Sequence, residues 1–181
     1  QGVSSAASDV YKRQPNILLL LSDDQSFNTI NALGNKEVST PNMDRLVSEG
    51  TTFTHAHIMG GNTGAICMPS RAMMMTGKNV QKFNNQGALT SEDETMPQLL
   101  KEAGYATFGT GKWHNNRDSY ARSFTHGSNI FLGGMSNHLK VPLHDFDPSG
   151  EYLKRNRRFE DKFSSVLSVS YTHLTLPTIL L

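Results

Sequence analysis

The first clear pattern along the chain is Ile17-Leu18-Leu19-Leu20-Leu21, five apolar residues in a row. Pro15-Asn16 leads into it, and Ser22-Asp23-Asp24-Gln25 closes it. A short apolar run with polar flanks predicts a strand buried on both faces, as in a parallel sheet. Asp23 and Asp24 would then sit at its C-terminal end, the edge where open α/β sheets bind ligands. Thr40 to Gly50 reads as a helix, with Thr40 as N-cap, Pro41 in the first position and Gly50 as the stop. Met43, Leu46 and Val47 mark its expected buried stripe. Thr51 to Ile58 alternates enough to predict a strand.

A Gly-rich loop, Gly60 to Gly64, runs into Ala65-Ile66-Cys67-Met68-Pro69-Ser70-Arg71. Pro69 reads as a first helical residue, Thr76 as the last and Gly77 as the stop. Cys67 would lie just before that helix, where free N–H groups favour anions. A further helix spans Met96 to Ala103 and is closed by Gly104. Tyr105 to Thr110 reads as a second buried strand, leading into Gly111-Lys112-Trp113-His114. Strand and helix alternate, which implies a right-handed α/β sandwich, with a parallel or mixed sheet between helices. Asn115 to Gly150 reads as one long irregular stretch, and such stretches are commonly functional. There are no internal repeats.

Composition narrows this picture. A chain of 181 residues with 36% hydrophobic content is about one domain and can bury a core. A net charge of +1 gives no field that would favour nucleic acid or an anionic membrane. One Cys excludes a disulfide framework within the chain. The Ile17–Leu21 run is far short of the ~20 residues of a membrane span, and no signal-peptide pattern is visible at the N-terminus. Residues 1–14 and 169–181 lack the periodicity of their neighbours and resemble translated sequencing-adaptor read-through. They are expected to be non-native tails around a native segment, 15–168. Without Asp9, Lys12 and Arg13 that segment is neutral.

Three clusters fall on one predicted edge: Asp23 with Asp24, Cys67 with Arg71, and Lys112 with His114. Carboxylates are hard oxygen ligands suited to Ca²⁺ or Mg²⁺. Arg71 lies one helical turn after Cys67, and its guanidinium fork matches the oxygens of sulfate or phosphate. Lys112 adds a point charge, and His114 exchanges protons near neutral pH. Together they read as an oxyanion site with a metal, a nucleophile and cationic stabilisers. Each part alone has a plainer reading. An Asp pair after a strand serves turn chemistry, a lone Cys is a small buried hydrophobe, and Lys112 with His114 can be a solvated turn. Met73-Met74-Met75 reads as core packing, His55 and His57 as structural, and Lys154 to Arg158 as a solvated basic face. Gly109-Thr110-Gly111-Lys112 is not a P-loop, because Ala106 stands where its first glycine belongs and Trp113 follows the lysine.

Cys67-Met68-Pro69-Ser70-Arg71, followed by Thr76-Gly77-Lys78, resembles the type I sulfatase signature. PNILLLLSDDQ resembles that family's opening strand and first metal ligands, TPNMDRLVSEGTTFTHAH its first helix and next strand, and GYATFGTGKWH its Gly-Lys-Trp-His segment. The likeness covers Pro15 to Val166. It implies an alkaline phosphatase-like fold, here truncated, and an enzyme that hydrolyses sulfate esters of a glycan or an aryl alcohol. It also implies that a maturation enzyme oxidises Cys67 to formylglycine, whose hydrate is the nucleophile. By the same resemblance Asp23, Asp24 and residue 67 hold Ca²⁺ (or Mg²⁺), Arg71 and Lys112 stabilise the anion, and His114 takes the proton on sulfate release. Sulfatases are considerably longer than this chain, and their later part supplies further metal ligands and a leaving-group acid. Asn137-His138 and His144-Asp145 lie too early to stand in for those. The chain as written is therefore expected to be an inactive fragment of an active enzyme, with poor solubility. Periplasmic or secreted location is the family expectation. Two alternatives stay open: a phosphonate monoester or phosphodiester hydrolase of the same superfamily, and a non-catalytic anion-binding remnant. Trp113, Tyr120, Phe124 and His138 are candidates either for lining a leaving-group pocket or for the core.

Overall fold

The computed structural model describes residues 15–61, 66–83, 87–133 and 141–152, and the backbone of 157–159. Both expected tails, the loop's centre at 62–65, Asn137-His138 and Lys154 to Asn156 lie outside the described residues. The element order is α1 (Pro41–Glu49), α2 (Cys67–Thr76), α3 (Met96–Glu102), β1 (Phe108–Lys112), α4 (Arg117–Ser123), β2 (His126–Phe131), β3 (Pro142–His144) and β4 (Arg157–Phe159). Short 3-10 turns at Phe27–Thr29, Asn31–Leu33 and Val80–Lys82 join them.

The sheet is mixed, in the order β1-β2-β3-β4. β1 and β2 are parallel, while the β2–β3 and β3–β4 pairs are antiparallel. The helix α4 makes the crossover between the parallel pair, as a parallel connection requires. Helices α2, α3 and α4 pack in series. The main core joins Ala72 and Met75 of α2 to Leu89, Trp113, Tyr120, Phe124, Ile130 and Tyr152. Trp113 meets Tyr120 and Phe124 edge-on, with ring centroids 5.6 and 5.5 Å apart. Each such ring pair adds about 0.5–1.5 kcal/mol beyond area burial. Trp113, Tyr120 and Phe124 are thus core residues. Of the methionine triplet, Met75 is buried and Met74 exposed.

The stretch 115–150 is not one irregular loop: it contains α4, β2 and β3. Its polarity conceals α4, whose sequence RDSYARS has one aromatic and two serines on its inner side. Those hydroxyls are satisfied locally. Ser123 Oγ contacts Thr95 Oγ at 2.7 Å and bonds the Ser119 carbonyl, while Thr107 Oγ donates to the Ser123 carbonyl. Back-bonding of this kind lets small hydroxyls occupy a core. Asn116 caps α4 by accepting from the Ser119 N–H, and its amide donates to the Leu89 carbonyl.

Other boundaries differ less. The helix α2 starts at Cys67, two residues before Pro69, and ends at Gly77 as expected. The strand β1 begins later than Tyr105 and runs to Lys112. The helix α1 has the expected span, but its stripe is not buried: Leu46 is 60% exposed. Neither Ile17–Leu21 nor Thr51–Ile58 joins a ladder among the described residues, and the second segment turns at Thr54-His55. Leu18 and Leu20 face outward, and Leu19 packs against the core. No helix among the described residues is long and apolar enough to cross a membrane.

Candidate active site

The first two turns of α2 carry Cys67 and Arg71, and burying Pro69 and Ala72 fixes which way they face. The C-terminal end of β1 delivers Lys112, and the next two residues deliver His114. The bend before the first 3-10 turn delivers Asp23 and Asp24. All six residues that the sequence singled out for chemistry come from these three places. Asp23 ties Arg71, Lys112 and Cys67 together.

Lys112 Nζ lies 2.6 Å from Asp23 Oδ2, and Arg71 Nη2 lies 3.6 Å from the same oxygen. Arg71 Nη1 donates to the carbonyl of Lys112, which clamps α2 to the end of β1. Arg71 is almost fully buried, and a buried guanidinium needs such partners. One ligand atom each from Asp23, Asp24 and Cys67 falls within a cluster no wider than 4.8 Å. His55 and His57 are not part of it; they lie on the exposed segment after α1. Backbone angles are unusual at two of these positions: Asp24 has φ +51° and His114 φ +54°. Non-glycine residues in the left-handed region cluster at functional sites.

The electrostatics follow from burial and from these pairs. Burial disfavours the Asp23 carboxylate, but the Lys112 and Arg71 cations and a hydrogen bond with Cys67 outweigh it and hold its pKa below the ordinary value. Burial pushes the Cys67 thiol up; Lys112 opposes this, while Asp23 and Asp24 reinforce it. The thiol is therefore not activated, despite its helix N-terminus. Burial lowers the His114 pKa, and Lys112 and Arg71 lower it further. The imidazole is neutral near pH 7, and its buried Nδ1 has no hydrogen-bond partner among the described residues. Burial also lowers Arg71, with Asp23 opposing, but a guanidinium stays protonated.

The donor set suits a hard divalent cation in kind: two carboxylates beside residue 67, with oxygen as the favoured ligand. It is incomplete in number, since Ca²⁺ takes about 6–8 oxygens and three residues do not supply them. Two cations, an imidazole and two carboxylates thus lie around residue 67. The sequence did not single out Gly133, whose backbone lies under the His114 ring.

The family model described as Sulfatase matches residues 15–177. Human N-acetylgalactosamine-6-sulfatase is 31% identical over 166 residues, covering 77% of this chain and 31% of that protein. An N-acetylgalactosamine-6-O-sulfatase of Bacteroides thetaiotaomicron is 37% identical over 110 residues, covering 56% of this chain and 21% of its own length. The crystal structure of the candidate sulfatase yidJ from Bacteroides fragilis superposes with a TM-score of 0.58 at 20% identity, over 83% of this chain and 38% of that one. That likeness is one of fold. The chain spans about a third or less of the length of these curated relatives.

Proposed function

The chain belongs to the sulfatase family, and from that premise we propose that it supplies the nucleophile end of a sulfate ester hydrolase, acting within a polypeptide of family length. The observation that carries this reading is the convergence on Asp23. One carboxylate gathers Lys112 and Arg71 beside Cys67, with Asp24 in the same cluster. Two cations and a metal-ligating edge around a single residue suit a tetrahedral dianion or monoanion that resists attack until its charge is offset.

Residue 67 acts as formylglycine, made from Cys67 by a maturation enzyme. The raised thiol pKa supports this, because an unactivated cysteine is a poor nucleophile. A Ca²⁺ or Mg²⁺ ion held by Asp23 and Asp24 supplies Lewis-acid polarisation of the ester. Arg71, fixed against the Lys112 carbonyl, places its positive charge near residue 67. Lys112 bridges from Asp23 toward the anion. His114 accepts a proton at a ring nitrogen, and its lowered pKa keeps it in the accepting form at neutral pH. The substrate class is a sulfate ester on a sugar ring or an aryl alcohol; the names of the hexosamine sulfatase relatives favour the sugar.

The test coexpresses a family-length polypeptide carrying this segment with a formylglycine-generating enzyme. Mass spectrometry of the Cys67 peptide should show the aldehyde. An aryl sulfate and an aryl phosphodiester are then offered in parallel. Sulfate release should dominate and vanish in C67A. Equal turnover by C67A, or preference for the phosphodiester, overturns the reading.

A further inference from the structure

The parallel pairing of β1 and β2 changes register midway. Phe108, Gly109 and Thr110 face His126, Gly127 and Ser128, but Gly111 faces Ile130 and Lys112 faces Phe131. β2 therefore carries one extra residue, Asn129, across this interval. Asn129 has φ +50° and Gly111, opposite the shift, has φ +84°. An extra residue in a strand bends it and re-aims the residues beyond it. Asparagine is among the few side chains that tolerate the left-handed region.

The consequence appears beyond the ends of both strands. The Trp113 N–H donates to the Phe131 carbonyl at 2.8 Å, so the shifted register continues past Lys112. His114 comes next with φ +54°, and its ring and Cα rest on Gly133, which has φ +107°. A Cβ at residue 133 would run into His114 Cδ2 and lie 3.1 Å from both Cγ and Cα. Had the strands kept their first register, the residue in step with His114 would be Leu132, whose side chain cannot share that space. The one-residue advance brings a glycine there instead.

We infer that Asn129 is a positioning residue: its left-handed backbone advances β2 by one residue and so seats Gly133 beneath His114, fixing the imidazole at the edge of the site. The inference rests on the placement of His114 in the proposed hydrolytic site. Its test is independent of turnover, so failure of the positioning and failure of the hydrolase reading are distinguishable.

The test records histidine Hδ2–Cδ2 correlations by NMR on the full chain, with His114 assigned by H114Q. N129G, which keeps the left-handed backbone, should leave the His114 peak in place. N129V, a β-branched residue that resists that backbone, should shift or broaden it. G133A should displace the same peak while the other histidine peaks stay put. A folded G133A with an unmoved His114 peak overturns the contact. A folded N129V that matches wild type, or an N129G as displaced as N129V, overturns the role of Asn129. Should N129V fail to fold, N129A takes its place with the same expectation.

Discussion

Residues 15–61 and 67–152 are built on different principles, although both contribute to the site. The later segment contains all the buried residues described: an aromatic cluster, a mixed sheet and buried hydroxyls bonded to backbone. The earlier segment has none, even though it holds the most continuous apolar run in the chain. Phe53 and Ile58 are 80% and 77% exposed, and Leu18 and Leu20 about half. Packing holds Cys67, Arg71, Lys112 and His114 on or beside a helix and a strand. Charge holds Asp23: two cations from the packed segment reach a carboxylate in the bend of the earlier one. A cluster of polar side chains can thus be assembled half by packing and half by ion pairing, and the two halves should respond differently to mutation and to pH.

The largest separation between them should come from the core. Trp113 is buried, meets Tyr120 and Phe124, and donates from Nε1 to Ser119 Oγ at 2.9 Å. W113A should lose about 3–5 kcal/mol, the cost of truncating a buried aromatic. Urea denaturation followed by far-UV circular dichroism measures it. A loss below about 1 kcal/mol would mean that the aromatic cluster is not the organising core.

Arg71 is where the two segments meet, and its removal comes next. R71A leaves the Lys112 carbonyl without its donor and strips one of two cations from Asp23. Breaking a buried pair from one side costs about 3–5 kcal/mol; the Asp23–Lys112 pair that survives should hold the loss near the lower end. R71K should recover only part of it, because an ammonium cannot serve the Lys112 carbonyl and Asp23 as a fork does. Full recovery by R71K in the same denaturation assay would show that charge alone matters there.

The fold was legible in the sequence where punctuation was strong. Thr40-Pro41 with Gly50, Gly77 after Thr76, and Thr95 before Met96 each mark a helix boundary that the structure keeps within two residues. The six candidate residues could be picked out because the Ser-Asp-Asp-Gln, Cys-x-Pro-Ser-Arg and Gly-Lys-Trp-His segments that hold them are each local. The features that stayed hidden depend on partners remote in sequence. Ser119 and Ser123 looked like loop residues because their hydroxyls are satisfied by helix carbonyls and by Thr95. The apolar Ile17–Leu21 run predicted two covered faces, yet among the described residues only Leu19 of that run packs on the core cluster. An apolar pattern reports what a segment is suited to bury, not whether a neighbour is there to cover it.

Acid should loosen the charge-held segment before the packed one. Asp23 has a lower pKa folded than unfolded, so it binds fewer protons in the folded state. Stability from this group is full above the ordinary carboxylate pKa of 3.8 and is lost as pH falls through the lowered folded value. Backbone NMR order parameters for residues 15–24 should therefore drop on acidification below about pH 4 while those of β1 and α4 hold. D23N should show the low-pH behaviour already at pH 7. An arm equally ordered at both pH values would mean that Leu19, rather than the ion pairs, holds it.

The smallest effect should come from the arm's outward leucines. Leu18 and Leu20 are about half exposed, and neither belongs to the core cluster. Replacing both by serine should change the unfolding free energy by no more than about 0.5 kcal/mol, the usual range for surface positions. The same change should raise the concentration at which the chain stays soluble, because it breaks an exposed apolar strand-like edge. L19S is the matched control, since Leu19 packs on the core and should cost measurably more. If L18S/L20S destabilises as much as L19S, the arm belongs to the cooperative core and the contrast between the two segments fails. If only L19S does, a single side chain and two ion pairs carry Asp23 and Asp24 to the site.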